Sequence, residues 1–407
     1  MRRLTNAPID GLTRSLTNGL MSELKRGRRL NVGRAANAAR SRTAILVALM
    51  VTASLFGIGA RPAGADEQPK FLNAKVETRS AAAGLDPAVR AFAAAQEGPA
   101  WIGYAAPLVD GRHSMCCGRS SDEGNCCGRC ALESSNDGGD CHSDGGSTGS
   151  AKLEGPTEFF VLLRAAGHRI GRVRTFTGGC SVDAGGLRVV WLTDVKPAES
   201  VAVLSGFVAP ATYDSQDYRS PASGAMAAIA RHADPAADRA FASFIAPSQP
   251  EKLRSEAAFW LGSTRGAAGL HMLEGMAKND TSTKVRMQVA FAYSVSGEPA
   301  ATDDLIRLAK DDENAKVRGQ GLFWLGQKAG RRAASAITDA IENDPDTATK
   351  RSAVFALSQL PKDEGVPLLI HVAKTNKNPE VRKQAFFWLG QANDPRVVDF
   401  FEEILKK

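Results

Sequence analysis

Apolar residues in the C-terminal half of the chain recur at an interval of 32 residues without a slip. The first such column consists of Phe259, Phe291, Phe323, Phe355 and Phe387. The second consists of Leu273, Leu305, Ile337, Leu369 and Phe401. Self-similarity at a fixed period of this length is typical of stacked repeat proteins. We therefore expect both columns to lie in the core of the repeats.

Each unit contains two amphipathic helical patterns. Leu253 and Leu261 fall on one face of the first helix at helical spacing, as Leu270 and Leu273 do in the second. Neither helix can bury its apolar stripe alone, so each pair must stack against neighbouring pairs. The pattern predicts a mainly α fold, in which about six helical pairs of 32 residues form a right-handed α-solenoid over residues 223–407.

Two polar columns share this register. The first consists of Asp280, Asp312, Asp344 and Asn376. The second follows six residues later and consists of Arg286, Arg318, Lys350 and Arg382. A basic column could form a phosphate-binding stripe, but the matched acidic column argues against that interpretation.

The repeated segments resemble HEAT repeats, including the bacterial group named after phycobilisome lyases. The resemblance rests on KLRSEAAFWLG (252–262), AKVRGQGLFWLG (315–326), ATKRSAVFALS (348–358) and PEVRKQAFFWLG (379–390). It implies that the two polar columns form a ladder of inter-repeat hydrogen bonds. It also implies that the second helix of each unit lines a concave face that contacts a protein partner. The candidate contacts on that face are His271, Lys278, Arg307, Lys310, His371 and Lys374.

Tryptophan follows the phenylalanine column in alternate units, at Trp260, Trp324 and Trp388. These side chains could anchor a partner peptide, because aromatic residues often dominate binding interfaces. Their position beside an expected core residue favours a role in packing.

Residues 66–208 predict a small α+β domain that precedes the solenoid. Its expected strands are 101–109, 158–164, 170–176 and 187–195, and its expected helices are 85–95 and 197–207. Residues 165–168 join the second and third strands as a hairpin turn. Residues 113–150 are rich in Cys, Gly and Ser and predict a long loop, because they cannot bury a core. Residues 209–222 predict a polar linker.

The formal net charge of +7 comes from the N-terminus. Residues 1–65 contain eleven Lys/Arg and two Asp/Glu, whereas the remainder contains 40 basic and 42 acidic residues. A basic stretch, the apolar run 43–60 and Ala63-Gly64-Ala65 form the pattern of a secretory signal peptide. We expect cleavage near Ala65 and export to the periplasm or the exterior, with translation beginning at Met1 or Met21. The expected mature protein has no membrane span.

Seven cysteines lie outside the repeats, at positions Cys116, Cys117, Cys126, Cys127, Cys130, Cys141 and Cys180. Export favours disulfides among them, although the odd number leaves one thiol over in a monomer. A second interpretation is a tetrahedral zinc site that uses Cys127, Cys130, Cys141 and His142. Cys127 and Cys130 could also form a redox pair.

The sequence contains none of the common hydrolase, zinc-protease or phosphate-loop motifs. The HEAT-like di-iron hydroxylase of the hypusine pathway binds metal through His-Glu pairs, and this chain has no His-Glu dipeptide. We therefore predict a non-catalytic, exported interaction protein without a cofactor and without a nucleic-acid partner. The alternatives are an enzyme or a redox- or metal-responsive protein that uses residues 116–141, and a lyase-like HEAT protein.

Overall fold

A computed structural model describes residues 68–110, 129–133, 157–177, 181–208, 220–328 and 331–406 of the chain. Its strands are β1 (Phe71–Leu72), β2 (Lys75–Ser80), β3 (Ala100–Pro107), β4 (Arg129–Ala131), β5 (Glu158–Ala166), β6 (Arg169–Thr177), β7 (Ser181–Asp183) and β8 (Arg188–Thr193). Two helices, α1 (Leu85–Ala94) and α2 (Pro197–Phe207), accompany them. These elements confirm a small α+β region before the repeats.

The strands form a five-stranded mixed sheet in the order β2-β8-β3-β5-β6 and a three-stranded sheet in the order β1-β7-β4. β5 and β6 pair as the expected antiparallel hairpin, whose turn places Gly167 and His168 at positive φ. β8 pairs in parallel with both β2 and β3. Neither β2 nor the three-stranded sheet is among the elements predicted from the sequence.

The larger sheet is buried on both faces because its central strands are continuously apolar. Trp101 and Trp191 lie in a core shared with β7. Tyr104 and Val190 face the other core, which also contains residues of α1 and α2. The alternation follows from the two-residue period of a strand.

The remaining described chain consists of paired helices. They are α3 (Pro221–Arg231), α4 (Ala236–Phe244), α5 (Glu251–Thr264), α6 (Gly266–Asn279), α7 (Thr283–Val295), α8 (Ala301–Asp311), α9 (Ala315–Lys328), α10 (Arg331–Asn343), α11 (Thr347–Gln359), α12 (Lys362–Thr375), α13 (Pro379–Gln391) and α14 (Pro395–Leu405). Side chains cap several of them: Ser282 begins α7, Asp346 begins α11 and Asn378 begins α13 by accepting a backbone N–H. No helix in the described ranges is both long and apolar enough to cross a membrane.

The two helices of each unit lie in different layers. Helices α5, α7, α9, α11 and α13 pack closely against one another, far more extensively than α6, α8, α10, α12 and α14 do. Small residues permit this approach: a Cβ at Gly262 would lie 2.3 Å from the Ala292 carbonyl oxygen, and one at Gly326 would lie 2.8 Å from that of Ala356. In a curved stack, the more closely spaced layer is the inner one. We therefore call these two sets the inner helices and the outer helices.

This packing corrects the expected assignment of the faces. The second helix of each unit was expected to line the concave face, but those helices form the more widely spaced, outer layer. A groove between α8 and α10, lined by Ala309, Ala336, Asp339 and Ala340, reflects that spacing. The 32-residue period identifies equivalent positions, but it does not say which helix of a unit faces inward.

The two apolar columns differ in how deeply their side chains are buried. Leu273, Leu305, Ile337 and Leu369 are buried. The expectation that the phenylalanine column lies in the repeat core is wrong, because its members lie on the inner helices with half-buried side chains, and Phe387 is 55% exposed. Each sits on the flank of its helix that turns away from the outer layer.

One continuous core joins the sheet to the helical stack. α3 packs directly on β6, and a Cβ at Gly224 would lie 2.2 Å from the Val173 carbonyl oxygen. Leu108 also forms a β-bridge with His232 at the end of α3. At the other end of the stack, α14 leaves Val398 58% and Leu405 86% exposed.

Candidate interaction surface

The exposed flank of the inner helices carries a continuous row of aromatic rings, which we call the aromatic ladder. Its members in spatial order are Trp260, Phe259, Phe291, Trp324, Phe323, Phe355, Trp388 and Phe387. Successive ring centroids lie 4.7–5.9 Å apart. These separations fall in the favourable range for aromatic pairs. The ladder thus crosses every inner helix.

The alternation of Trp and Ala after the phenylalanine column produces the geometry of the ladder. Phe259 and Phe291 stack with an interplanar angle of 9°, as Phe323 and Phe355 do at 12°. Trp324 fills the step between the two stacked pairs, 4.7 Å from Phe291. The tryptophans are therefore packed against the phenylalanines, and both residue types remain partly exposed.

A groove between α7 and α9 opens on the ladder. It is lined by Lys284, Met287, Gln288, Phe291, Gln320 and Trp324. Apolar, amide and cationic side chains thus meet in one place. Such a mixture is typical of sites that hold an apolar side chain and orient the polar groups beside it.

The polar columns form a second, buried series of contacts between the turns, which we call the ion-pair ladder. Arg254 donates to both carboxylate oxygens of Asp280, at 2.8 and 3.1 Å. Pairs with the same bidentate geometry follow in the next two units, Arg286 with Asp312 and Arg318 with Asp344. Both side chains of each pair are at most 9% exposed.

Each arginine also reaches the preceding turn. Arg286 donates to the backbone carbonyl of Asp280, and Arg318 to that of Asp312, each at 2.8 Å. The acidic residue six positions earlier therefore supplies a carbonyl oxygen, and the one 26 positions later supplies the carboxylate. Because a carboxylate already holds these buried guanidinium groups, they do not form a phosphate-binding stripe.

The fourth rung of this ladder differs from the other three. Lys350 donates to the backbone carbonyl of Glu342 at 2.7 Å, and Asn376 approaches the Glu342 carboxylate at 3.4 Å. Arg382 still donates to the Asn376 carbonyl at 2.8 Å. The arginine and the aspartate are thus replaced together, which removes the charged pair without leaving one buried charge alone.

The outer helices carry the six candidate contact residues on an exposed surface. These residues are His271, Lys278, Arg307, Lys310, His371 and Lys374. Several make ion pairs with neighbouring residues or units: Lys310 lies 3.2 Å from Asp339, and Lys374 lies 2.7 Å from Glu403. Arg307 pairs with Asp304 on its own helix. The outer surface therefore compensates much of its own charge.

A buried polar group at the junction of sheet and helices has no counterpart among the residues predicted from the sequence. Tyr104 and Ser200 share a hydrogen bond of 2.7 Å, and Ser200 contacts His232 Nε2 at 2.9 Å. Burial lowers the pKa of His232 to about 4. A serine and a histidine at this distance resemble a nucleophile and its base, but both are fully buried. Because Ser200 and His232 are fully buried, we interpret the group as part of the packed junction. Among the described residues His232 Nδ1 has no hydrogen-bond partner.

The cysteine predictions fall almost entirely outside the described residues. The residues outside the described ranges are Cys116, Cys117, Cys126, Cys127, Cys141, His142 and Cys180. The backbone of Cys130 belongs to β4, which pairs with β7. Within the described ranges, no three His, Cys, Asp or Glu side chains are grouped so that they could hold a metal ion.

Comparisons with known proteins bear on the repeats. A family model described as HEAT repeats matches residues 238–325 and 334–407. The two matches begin within α4 and α10 and together cover the described inner helices from α5 onward, apart from the end of α9. None of the curated proteins compared with the chain matches it.

A solved structure of human deoxyhypusine hydroxylase in complex with glycerol is 16% identical to this chain. The similarity covers 51% of this chain and 89% of that chain, with a TM-score of 0.24. A similarity at this level supports no statement about the activity of the present protein.

Proposed function

Because this chain is a HEAT-repeat protein, with the repeats at residues 238–325 and 334–407, we propose that it is a non-catalytic, exported interaction protein. HEAT repeats commonly mediate protein interactions, and solenoids of this kind present extended concave binding surfaces. The proposed binding surface is the exposed flank of the inner helices. The outer helices then act as the supporting layer.

The aromatic ladder is the observation that carries this proposal. Large aromatic side chains dominate many protein interfaces because they bury much apolar surface at little conformational cost. Here they form one uninterrupted row rather than scattered exposed residues. Contiguous apolar surface of this kind is typical of interaction sites. The self-compensated charge of the outer surface offers no comparable feature.

Site-specific crosslinking tests the choice of surface. We expect a photoreactive phenylalanine analogue at Phe291 or Phe323 to yield the same discrete partner adduct in the native compartment. The same analogue at Arg307 serves as the matched control, because that side chain is exposed and belongs to the outer helix α8. Mass spectrometry identifies the adducts. Adducts that form equally at Arg307, or that are absent from both ladder positions, contradict the proposal.

Export is supported by the order of basic, apolar and small residues in 1–65. We expect mature protein recovered from outside the cytoplasm to begin at Asp66, directly after Ala65. Amino-terminal sequencing of that protein measures the terminus. A mature protein that retains residues 43–60 would show that the apolar run is an uncleaved anchor.

A further inference from the structure

We propose that the inner face binds an extended, acidic segment of a partner protein that presents a large apolar residue at every third position. This inference rests on the proposed function and specifies the class of partner. The segment would run across the inner helices, along the aromatic ladder. Its acidic side chains would face the amino-terminal halves of these helices.

The spacing of the inner helices sets the period of the bound segment. Packed helices lie about 8–10 Å apart, so the helices recur at about that distance, although the stacked phenylalanine rings of neighbouring helices approach to 5.9 Å. A polyproline II segment rises about 3.1 Å per residue with three residues per turn. One turn therefore advances about 9 Å, and the same side of the segment meets each inner helix once.

Charge distinguishes the two sides of the ladder. Each inner helix places an exposed cation four or seven residues before its ladder phenylalanine, on the same helix face. These cations are Lys252, Lys284, Lys316, Arg351 and Lys383. The positions four residues after each phenylalanine are uncharged, namely Ser263, Val295, Gln327, Gln359 and Gln391. The field of the row therefore favours acidic side chains on one side only.

Acidic residues on this face reduce the bias without removing it. Glu251 lies 3.3 Å from Lys284 and accepts a hydrogen bond from Ser282. Burial raises the pKa of Glu256, whereas its hydrogen bond with the Trp260 side chain acts to lower it. Glu380 is exposed on α13, at the last inner helix of the ladder. The central cations at Lys316 and Arg351 have no acidic counterpart at the corresponding positions of their own helices.

The groove between α7 and α9 is where these features coincide. Its apolar surface is formed by Phe291, Trp324 and Met287, and Lys284 also lines the groove. The amides of Gln288 and Gln320 also line the groove. A polyproline II segment has no internal hydrogen bonds, so its backbone groups can pair with such amides. One apolar residue and its acidic neighbour would therefore occupy this groove together.

Binding of defined peptides to the mature full-length protein tests the inference. The probe is a fluorescein-labelled peptide of five Leu-Pro-Glu triplets, and binding is measured by fluorescence anisotropy. We expect it to bind at least tenfold more tightly than five Ser-Pro-Glu or five Leu-Pro-Lys triplets. Phe291→Ala should weaken binding of the probe at least fivefold. Lys310→Ala, which removes an exposed cation from an outer helix, should leave binding unchanged.

Reversal of the charge provides the sharper comparison. The double variant Lys284→Glu, Lys316→Glu should shift the preference from the Leu-Pro-Glu to the Leu-Pro-Lys peptide. Equal binding of these two peptides by the unaltered protein overturns the acidic preference. Tight binding of Ser-Pro-Glu or of a single-stranded oligonucleotide shows a general polyanion site and also overturns it.

Failure of every triplet peptide to bind overturns this inference alone. The proposed function is decided separately by the crosslinks at Phe291 and Phe323. Circular dichroism of each variant shows whether the helices remain folded.

Discussion

Replacement of Arg318 by alanine is expected to lower the free energy of unfolding by about 3–5 kcal/mol. The guanidinium group donates to both Asp344 oxygens, at 2.7 and 3.0 Å, and to the Asp312 carbonyl at 2.8 Å. Alanine would leave the Asp344 carboxylate buried without its cation. Removal of one partner of a buried pair costs more than the pair itself contributes, because the remaining charge stays desolvated.

Lys350 provides a matched control for this prediction, because it occupies the equivalent position one unit later. Its ammonium group donates to a single carbonyl, that of Glu342, and Asn376 stands where the other rungs have aspartate. Lys350→Ala should therefore cost about 1 kcal/mol or less. Urea unfolding followed by circular dichroism measures both variants. Equal losses in the two variants would contradict a role for the buried ion pair.

The second large effect concerns His232 and pH. We expect this residue to reduce the free energy of unfolding by about 3 kcal/mol as the pH falls from 6.5 to 4. Burial lowers the folded-state pKa to about 4 from its ordinary value of 6.5, while Asp234 acts to raise it and Arg265 acts to lower it further. Between these values the unfolded chain binds a proton that the folded protein does not. Stability therefore falls with decreasing pH at about 1.4 kcal/mol per unit.

The variant His232→Gln isolates this contribution, because carboxylates also titrate in the same range. Glutamine retains a hydrogen-bonding group for Ser200, which contacts His232 Nε2 in the protein. Urea unfolding at pH 7, 6, 5, 4 and 3.5 should give a steeper loss of stability for the histidine-containing protein. The steeper slope should end near pH 4. Parallel profiles for the two proteins would show that His232 does not hold a lowered pKa.

The repeat register was available from sequence, but the exposure of its columns was not. Leu305 and Phe291 recur with the same period, yet Leu305 is buried and Phe291 is partly exposed. A period establishes that positions are equivalent and says nothing about which layer covers them. The alternation Trp324, Ala356, Trp388 gave a signal for the aromatic ladder. That signal has the same appearance whether the rings lie in a core or on a face.

The region before the repeats shows a different limit. The β5–β6 hairpin and helix α2 could be predicted because local turn residues and helical spacing define them. β2 could not be predicted, since all of its residues are exposed and its pairing with β8 spans more than 100 residues. The Tyr104–Ser200–His232 group is equally non-local, because its members are 96 and 32 residues apart. No spacing rule connects such positions.

The fourth rung and the exposed end of α14 give the helical stack a mechanical polarity. In a quasi-one-dimensional array, each unit is stabilised by its own packing and by the interfaces with its neighbours. The first units share a core with the sheet, whereas the last described units have a rung without an ion pair, and α14 leaves Val398 and Leu405 exposed. Unfolding of the helical stack by heat, force or proteolysis would then start at α14 and proceed toward the sheet. The α7–α9 groove would remain folded after the C-terminal helical pairs had already unfolded.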